Sequence, residues 1–205
     1  MTIAYPLVMP SSPGFQASRF RLQRRTVVFE SAFTGAVQTL ERQGAMWAGE
    51  YRLPPMLRGQ AAPWVAFMVA LRGRVGTFKG FDPDARTPRG QGTGTPLVKG
   101  AGQTGNGLAT DGWTPSVTGI LKAGDYVSLA LPTQRLYQVV EDANSDGSGN
   151  ATLAIEPALR ESPNDNAALT VTNPFTLFRL VSDEAAWEAD RLGVFGVSFQ
   201  AIEAL

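Results

Sequence analysis

The 205-residue chain has no cysteine and no histidine. The first absence excludes a disulfide framework. The two together exclude thiolate and imidazole metal sites, which covers most zinc chemistry. They also exclude every Ser-His or Cys-His nucleophile. An enzyme of this composition is left with carboxylate, lysine, tyrosine or N-terminal amine chemistry. Charge is scarce as well: 18% of residues are charged, 18 basic against 18 acidic, for a formal net charge of zero. With no basic excess to grip phosphates, a primary nucleic-acid-binding role is disfavoured. With no acidic excess there is no solvating tail. Long apolar runs are missing too. Ala61 to Leu71 contains Pro63 and falls far short of the roughly 20 residues a membrane helix needs. Met1 to Pro10 lacks a basic run and is broken by Pro6 and Pro10, so no leader is expected there and assembly in a cytoplasm is.

What is present reads mainly as short strands. Arg25 to Glu30 is a β-branched and aromatic run. From Ala45 to Leu53, Ala45, Trp47, Gly49, Tyr51 and Leu53 share one face, against Met46, Ala48, Glu50 and Arg52, which predicts a strand buried on one side. Pro54 and Pro55, without ladder donors, stop it. One helix is predicted next: Trp64, Phe67, Met68 and Leu71 form an apolar stripe, Pro63 stands in the first turn, and Gly73 closes the end. That stripe is read as core against the Trp47 and Tyr51 face, not as a cofactor contact. Val75 to Phe81 is another expected strand. Asp82 to Gly112, rich in glycine, reads as a long loop or unit boundary.

A second β-rich unit is expected from about Leu97 to Asn173. Strands fall at Asp125 to Leu131, Leu136 to Val140 and Ala151 to Pro157, with Glu141 to Asn150 as a polar hairpin loop. A small barrel of about five strands fits. After Pro174 come an apolar strand at Phe175 to Val181 and a short acidic helix around Trp187, Asp183 to Arg191. The final strand carries Phe195, Val197 and Phe199 on one face.

Few motifs carry chemistry. Gly100-Ala-Gly-Gln-Thr-Gly105 spells the dinucleotide fingerprint, but Asn106, Gly107, Thr110, Asp111 and Gly112 cannot make the helix that holds a pyrophosphate, so a loop is expected. Asp142, Asn144, Asp146 and Gly147 copy the first half of a calcium loop. Position 12 is Leu153 instead of glutamate, and the turn itself needs such residues. Asp82 with Asp84, and Asp183, Glu184, Glu188 and Asp190, bring carboxylates close in sequence. Neither group is expected to face across a substrate cleft as glycoside hydrolysis requires. Arg21, Arg24 and Arg25 cluster, with Arg58, Arg72 and Arg74 elsewhere, and are read as ion pairs or interface contacts. Asn150-Ala-Thr152 is a glycosylation sequon by spelling only. No catalytic, cofactor or metal residue is assigned.

A wider pattern links these pieces. Phe33-Thr-Gly-Ala-Val-Gln-Thr-Leu-Glu-Arg42 is followed by Trp47, Leu53-Pro-Pro-Met56, Trp64-Val-Ala-Phe67, Leu71-Arg-Gly73 and Gly76-Thr-Phe78. Gly119-Ile-Leu-Lys-Ala-Gly-Asp-Tyr126 then leads to Leu136-Tyr137, Ser148-Gly-Asn-Ala-Thr-Leu153, Pro157-Ala-Leu-Arg160 and Phe178-Arg-Leu180. This order resembles the distal tail proteins of siphophages and prophages, minor tail proteins of the baseplate, over most of residues 25 to 205.

The resemblance implies a tail-tube-like β-sandwich with one packed helix, formed by residues 1–96 and 173–205. Residues 97–172 would be an inserted small β-barrel, galectin-like or OB-like. It further implies a non-catalytic virion protein, assembled in the host bacterial cytoplasm, that forms a hexameric ring at the distal end of the tail. Its neighbours would be the tail tube protein, the hub or tip protein and the tape measure protein, with DNA only passing through the channel. Open sheet edges that a closed ring of copies would cover agree with this expectation. The reading from another class is a carbohydrate- or receptor-binding β module, with Trp113 and Tyr126 as an aromatic platform. A wall-degrading enzyme is the third.

Overall fold

The structure, a computed structural model, describes residues 3–131 and 133–204. The expected ring-domain segments 1–96 and 173–205 therefore run past it at Met1, Thr2 and Leu205. In chain order, β1 (Ala17–Glu30) and β2 (Val37–Arg52) form a long hairpin, followed by β3 (Met56–Leu57), α1 (Arg58–Ala70) and β4 (Phe78–Gly80). Then come β5 (Gly94–Val98), β6 (Gly105–Trp113), β7 (Tyr126–Ala130), β8 (Gln134–Val139), β9 (Ala151–Leu159) and β10 (Leu169–Thr170). The chain ends with β11 (Thr176–Leu180), β12 (Glu188–Ala189), β13 (Val194–Gly196) and β14 (Ser198–Glu203). Among the described residues the protein is mainly β with one α-helix, and no helix is long and apolar enough to cross a membrane.

Two sheets dominate. The first has the order β1-β2-β14-β11-β4, so strands from both ends of the chain interleave. Its antiparallel register sets Phe199 against Tyr51, Ala201 against Gly49 and Phe178 against Phe78. These residues all face inward while their chain neighbours Glu50, Arg52, Lys79, Arg179, Ser198 and Gln200 face out, as a sheet packed on one side requires. The inner face meets α1 through Ala61, Trp64, Phe67, Met68 and Leu71. Aromatic rings fill the gap: Phe67 meets Phe78 edge-on at 5.4 Å, and Phe20 stacks on Trp47 at 5.2 Å. A three-stranded sheet, β12-β13-β3, closes the far side of this core.

The second sheet, β10-β7-β8-β9-β6-β5, curls almost shut. Leu97 bridges Ala168, and Val98 N–H donates to Ala167 O at 2.9 Å, which brings the two edges together. Val98, Leu108, Ile120, Val127, Leu129, Val139, Leu153 and Ile155 fill its interior. β7 is buried on both faces for a simple reason. Val127 and Leu129 point into the barrel, while Tyr126 belongs to the first core, as does Leu136 of β8. The barrel therefore rests on the first sheet.

Several expectations need correction. Asp82 to Gly112 is not one loop, since β5 and most of β6 lie in it. Pro63 is not in the first turn; α1 begins at Arg58 and Pro63 stands inside it. Asp183 to Arg191 forms no helix. The Asp183 carboxylate accepts from Arg74 N–H at 3.1 Å, and Asp190 accepts from Leu192 N–H and Val194 N–H, each at 2.8 Å. Side chains that capture backbone donors locally favour turns over helix. The barrel, expected with about five strands, has six.

Candidate functional site

The first place to look for chemistry is the junction between sheet and barrel. Glu203, at the end of β14, is 2% exposed. Its Oε1 accepts from Thr176 Oγ1 at 2.9 Å, and its Oε2 accepts from Trp47 N–H at 3.2 Å and from Arg160 Nη2 at 2.8 Å. Arg135, buried in β8, lies 3.9 Å from the same carboxylate and donates to Ala204 O at 3.2 Å. Trp47 Nε1–H donates to Leu136 O at 2.8 Å, and Arg24 pairs with Glu156 at 3.0 Å. Burial beside these groups pushes the Tyr137 hydroxyl up to about 12, so it stays protonated at neutral pH. Every partner in this network holds another part of the same chain. The arrangement fixes the barrel on the sheet and offers no acid and base facing a substrate.

The sequence candidates fall in separate places. The Gly100–Gly105 run is a bend that leads into the first residue of β6, and Gly100 N–H donates to Asp165 Oδ1 at 2.7 Å. The oxygens of the calcium-like loop are taken by amides. Asp142 accepts from Ala123 N–H at 2.9 Å, Asn144 from Gly119 N–H at 2.7 Å, and Asp146 from Ser148 N–H and Asn150 N–H, each at 2.8 Å. The bonds from Asn150 and Ser148 hold the Asp146 carboxyl below the usual carboxylate range. Asp82 caps the single 3₁₀ turn Pro83–Ala85, accepting from Asp84 N–H at 3.2 Å. Burial raises its carboxyl above the ordinary value, and the charge of Asp84 adds to this. Trp113 and Tyr126, read as a possible glycan platform, are 3% and 7% exposed. Trp113 Nε1–H donates to Thr110 Oγ1 at 2.8 Å, and Tyr126 packs edge-on against Trp47 at 5.4 Å. No aromatic platform exists at these two residues.

What stands open is the long hairpin. Between Gln23 and Arg25 the register shifts, so that residues 43–45 of β2 oppose Arg24 alone. Such a bulge bends the ribbon. Past it the two strands leave the sheet as a two-stranded arm, paired from Arg25↔Arg42 to Glu30↔Val37, and turn at Ser31–Ala36. Val28, Phe29, Val37 and Leu40 are each more than half exposed, and Phe33 at the tip is 99% exposed. An isolated ribbon with solvent on both faces is marginal in water, and apolar residues at its tip are an exposed patch that marks a protein contact. β1 is also the outer strand of its sheet over 14 residues, a long edge of unpaired ladder groups. The opposite edge, at β4, is partly covered: Leu7 bridges Phe78, and Lys79 N–H donates to Leu7 O at 3.0 Å. Sequence reading placed strands at Arg25–Glu30 and Ala45–Leu53 but missed that they join into one arm-bearing hairpin. In comparisons with known proteins, no family model and no curated protein matches the chain.

Proposed function

We propose that the chain is a structural, self-assembling protein whose surfaces are completed by further copies of itself. The particular reading is a distal tail protein of a siphophage or prophage. It forms a hexameric ring at the end of the tail, with the tube on one side and the hub or tip on the other. It is built in the host cytoplasm and resides in the virion tail. Three features support this reading. The sequence order resembles that family, the fold is a sheet with a packed helix plus a small barrel, and the surface is unfinished at one edge. The observation that carries it is the arm, with Phe33 fully exposed beside the free edge of β1. A heterologous contact, arm of one copy on the sheet margin of the next, generates a ring when the rotation closes. The carbohydrate-binding alternative loses its proposed platform, because Trp113 and Tyr126 are core residues.

The test is Phe33→Asp combined with Leu40→Asp. Both residues are solvent-exposed, so monomer stability should change by less than about 0.5 kcal/mol. Sedimentation should show higher-order species for the parent chain and their loss in the variant. Unchanged assembly in the variant would reject the arm as the contact.

A further inference from the structure

The face of the five-stranded sheet that points away from α1 carries a concentration of positive charge hidden in the balanced total. Strand alternation and register place Arg19, Arg52, Lys79 and Arg179 on this one face, and Arg25 and Arg42 follow past the bulge, at the base of the arm. Arg21 joins them, paired with Glu50. Among the described residues none of those six forms a salt bridge. Arg19, Arg25, Arg42 and Arg52 are exposed; Lys79 and Arg179 are half-buried. Glu50 is the one carboxylate that the register puts among them, and Glu184 approaches at the margin near Arg19 and Arg52. Arg25 and Arg42 are direct cross-strand partners. Like charges opposite one another destabilise a ribbon, so this pair costs stability unless an anion lies over it.

We infer that this open sheet face binds the phosphate backbone of nucleic acid, without reading sequence. Charge complementarity identifies the partner as a polyanion, and the filling between the arginines narrows it. Gln23, Ser198 and Gln200 occupy the exposed positions there. These are hydrogen-bond donors of the kind that contact phosphate and sugar. A protein partner would want buried aromatic anchors at the centre of the patch, and the centre here is Ala48 beneath Arg21 and Ile202. Same-face residues on a strand repeat every ~6.8 Å, equal to about two base-pair rises along a duplex strand. The face exists on a single copy, so the inference does not rest on ring assembly. A negative result here would leave that reading standing.

The experiment is fluorescence anisotropy of a labelled random-sequence DNA duplex titrated with the full chain across a salt series. Contact with about four phosphates predicts a roughly 100-fold loss of affinity between 50 and 200 mM salt. Arg25→Ser with Arg42→Ser should weaken binding at least about tenfold and flatten the slope of log affinity on log salt by about two. Circular dichroism should show the variant folded, since both side chains are exposed. Arg58→Ser with Lys99→Ser, on α1 and the barrel, should bind like the parent. No binding at 50 mM salt overturns the inference, as does equal loss in both double variants. Preferential binding of poly-glutamate over duplex also overturns it, and assigns the face to an acidic protein.

Discussion

Replacing Glu203 with alanine should destabilise the protein by about 3–5 kcal/mol, the usual cost of stripping one partner from a buried ion pair. The structure explains why the loss is large. Glu203 is 2% exposed and accepts from Thr176, Trp47 N–H and Arg160, while Arg135, 6% exposed and 3.9 Å from Glu203, would keep Ala204 O and the half-exposed Glu161, also at 3.9 Å. Alanine takes the carboxylate from beside Arg135 and Arg160 and leaves Trp47 N–H without its acceptor, while Thr176 Oγ1 keeps Gln134 O at 3.1 Å and Arg160 Nη2 keeps Ala45 O. Glu203→Gln retains a carbonyl for one or two of those donors and removes the charge. Its cost should be nearer that of a single charged hydrogen bond, about 1.5–3 kcal/mol. Urea unfolding followed by tryptophan fluorescence measures both, because Trp47 and Trp64 report the first core and Trp113 the second. The alanine variant should unfold at lower urea by an amount exceeding the glutamine variant. An alanine variant within about 1 kcal/mol of the parent, a surface-like value, would refute the idea that this carboxylate locks barrel to sheet.

Other predictions concern pH, metal and modularity. Burial raises the Asp82 carboxyl above its ordinary 3.8. The folded state therefore binds this proton more tightly than the unfolded one. The resulting stability is present below pH 3.8 and is lost as pH rises through the folded value. Asp82→Asn should thus raise the urea midpoint at pH 7, with the gain vanishing near pH 3.5; an equal gain at both pH values counts against it. Because amides already occupy Asp142, Asn144 and Asp146, calcium and chelator should give the same melting temperature, and a calcium-dependent rise would reverse that reading. Deleting residues 97–172 removes Tyr126 and Leu136 from the first core but leaves β1, β2, β4, β11, β14 and α1. The shortened chain should melt cooperatively at a lower temperature, and a chain unfolded under all conditions would refute the insertion.

How much could be read from sequence follows from how each segment meets solvent. Ala45 to Leu53 was legible because its sheet is packed on one face and open on the other, which imposes period two on the residues. The Trp64, Phe67, Met68 and Leu71 stripe was legible for the same reason at helical period. The arm was not. Val27, Val28 and Phe29 are consecutive apolar residues on a ribbon with solvent on both sides, so no alternation marks it. β6 was read as loop because of Gly105, Gly107 and Gly112. In the structure Gly112 has a φ of 75°, and a Cβ there would stand 2.4 Å from Thr95 O, so glycine permits the close approach of β5 instead of ending a strand. The basic face was hidden by arithmetic. Summing the chain to zero conceals Lys79 and Arg179, a hundred positions apart in sequence, brought to one face by β4 and β11.

The central claim, that free copies complete one another into a ring, is tested most directly by negative-stain electron microscopy of the purified chain, alone and with a tail tube protein of the kind the proposed function pairs with it. The account predicts closed annular particles with sixfold symmetry, of six times the 21.9 kDa chain mass. A single 21.9 kDa species in both samples, at every concentration the protein tolerates, would contradict it.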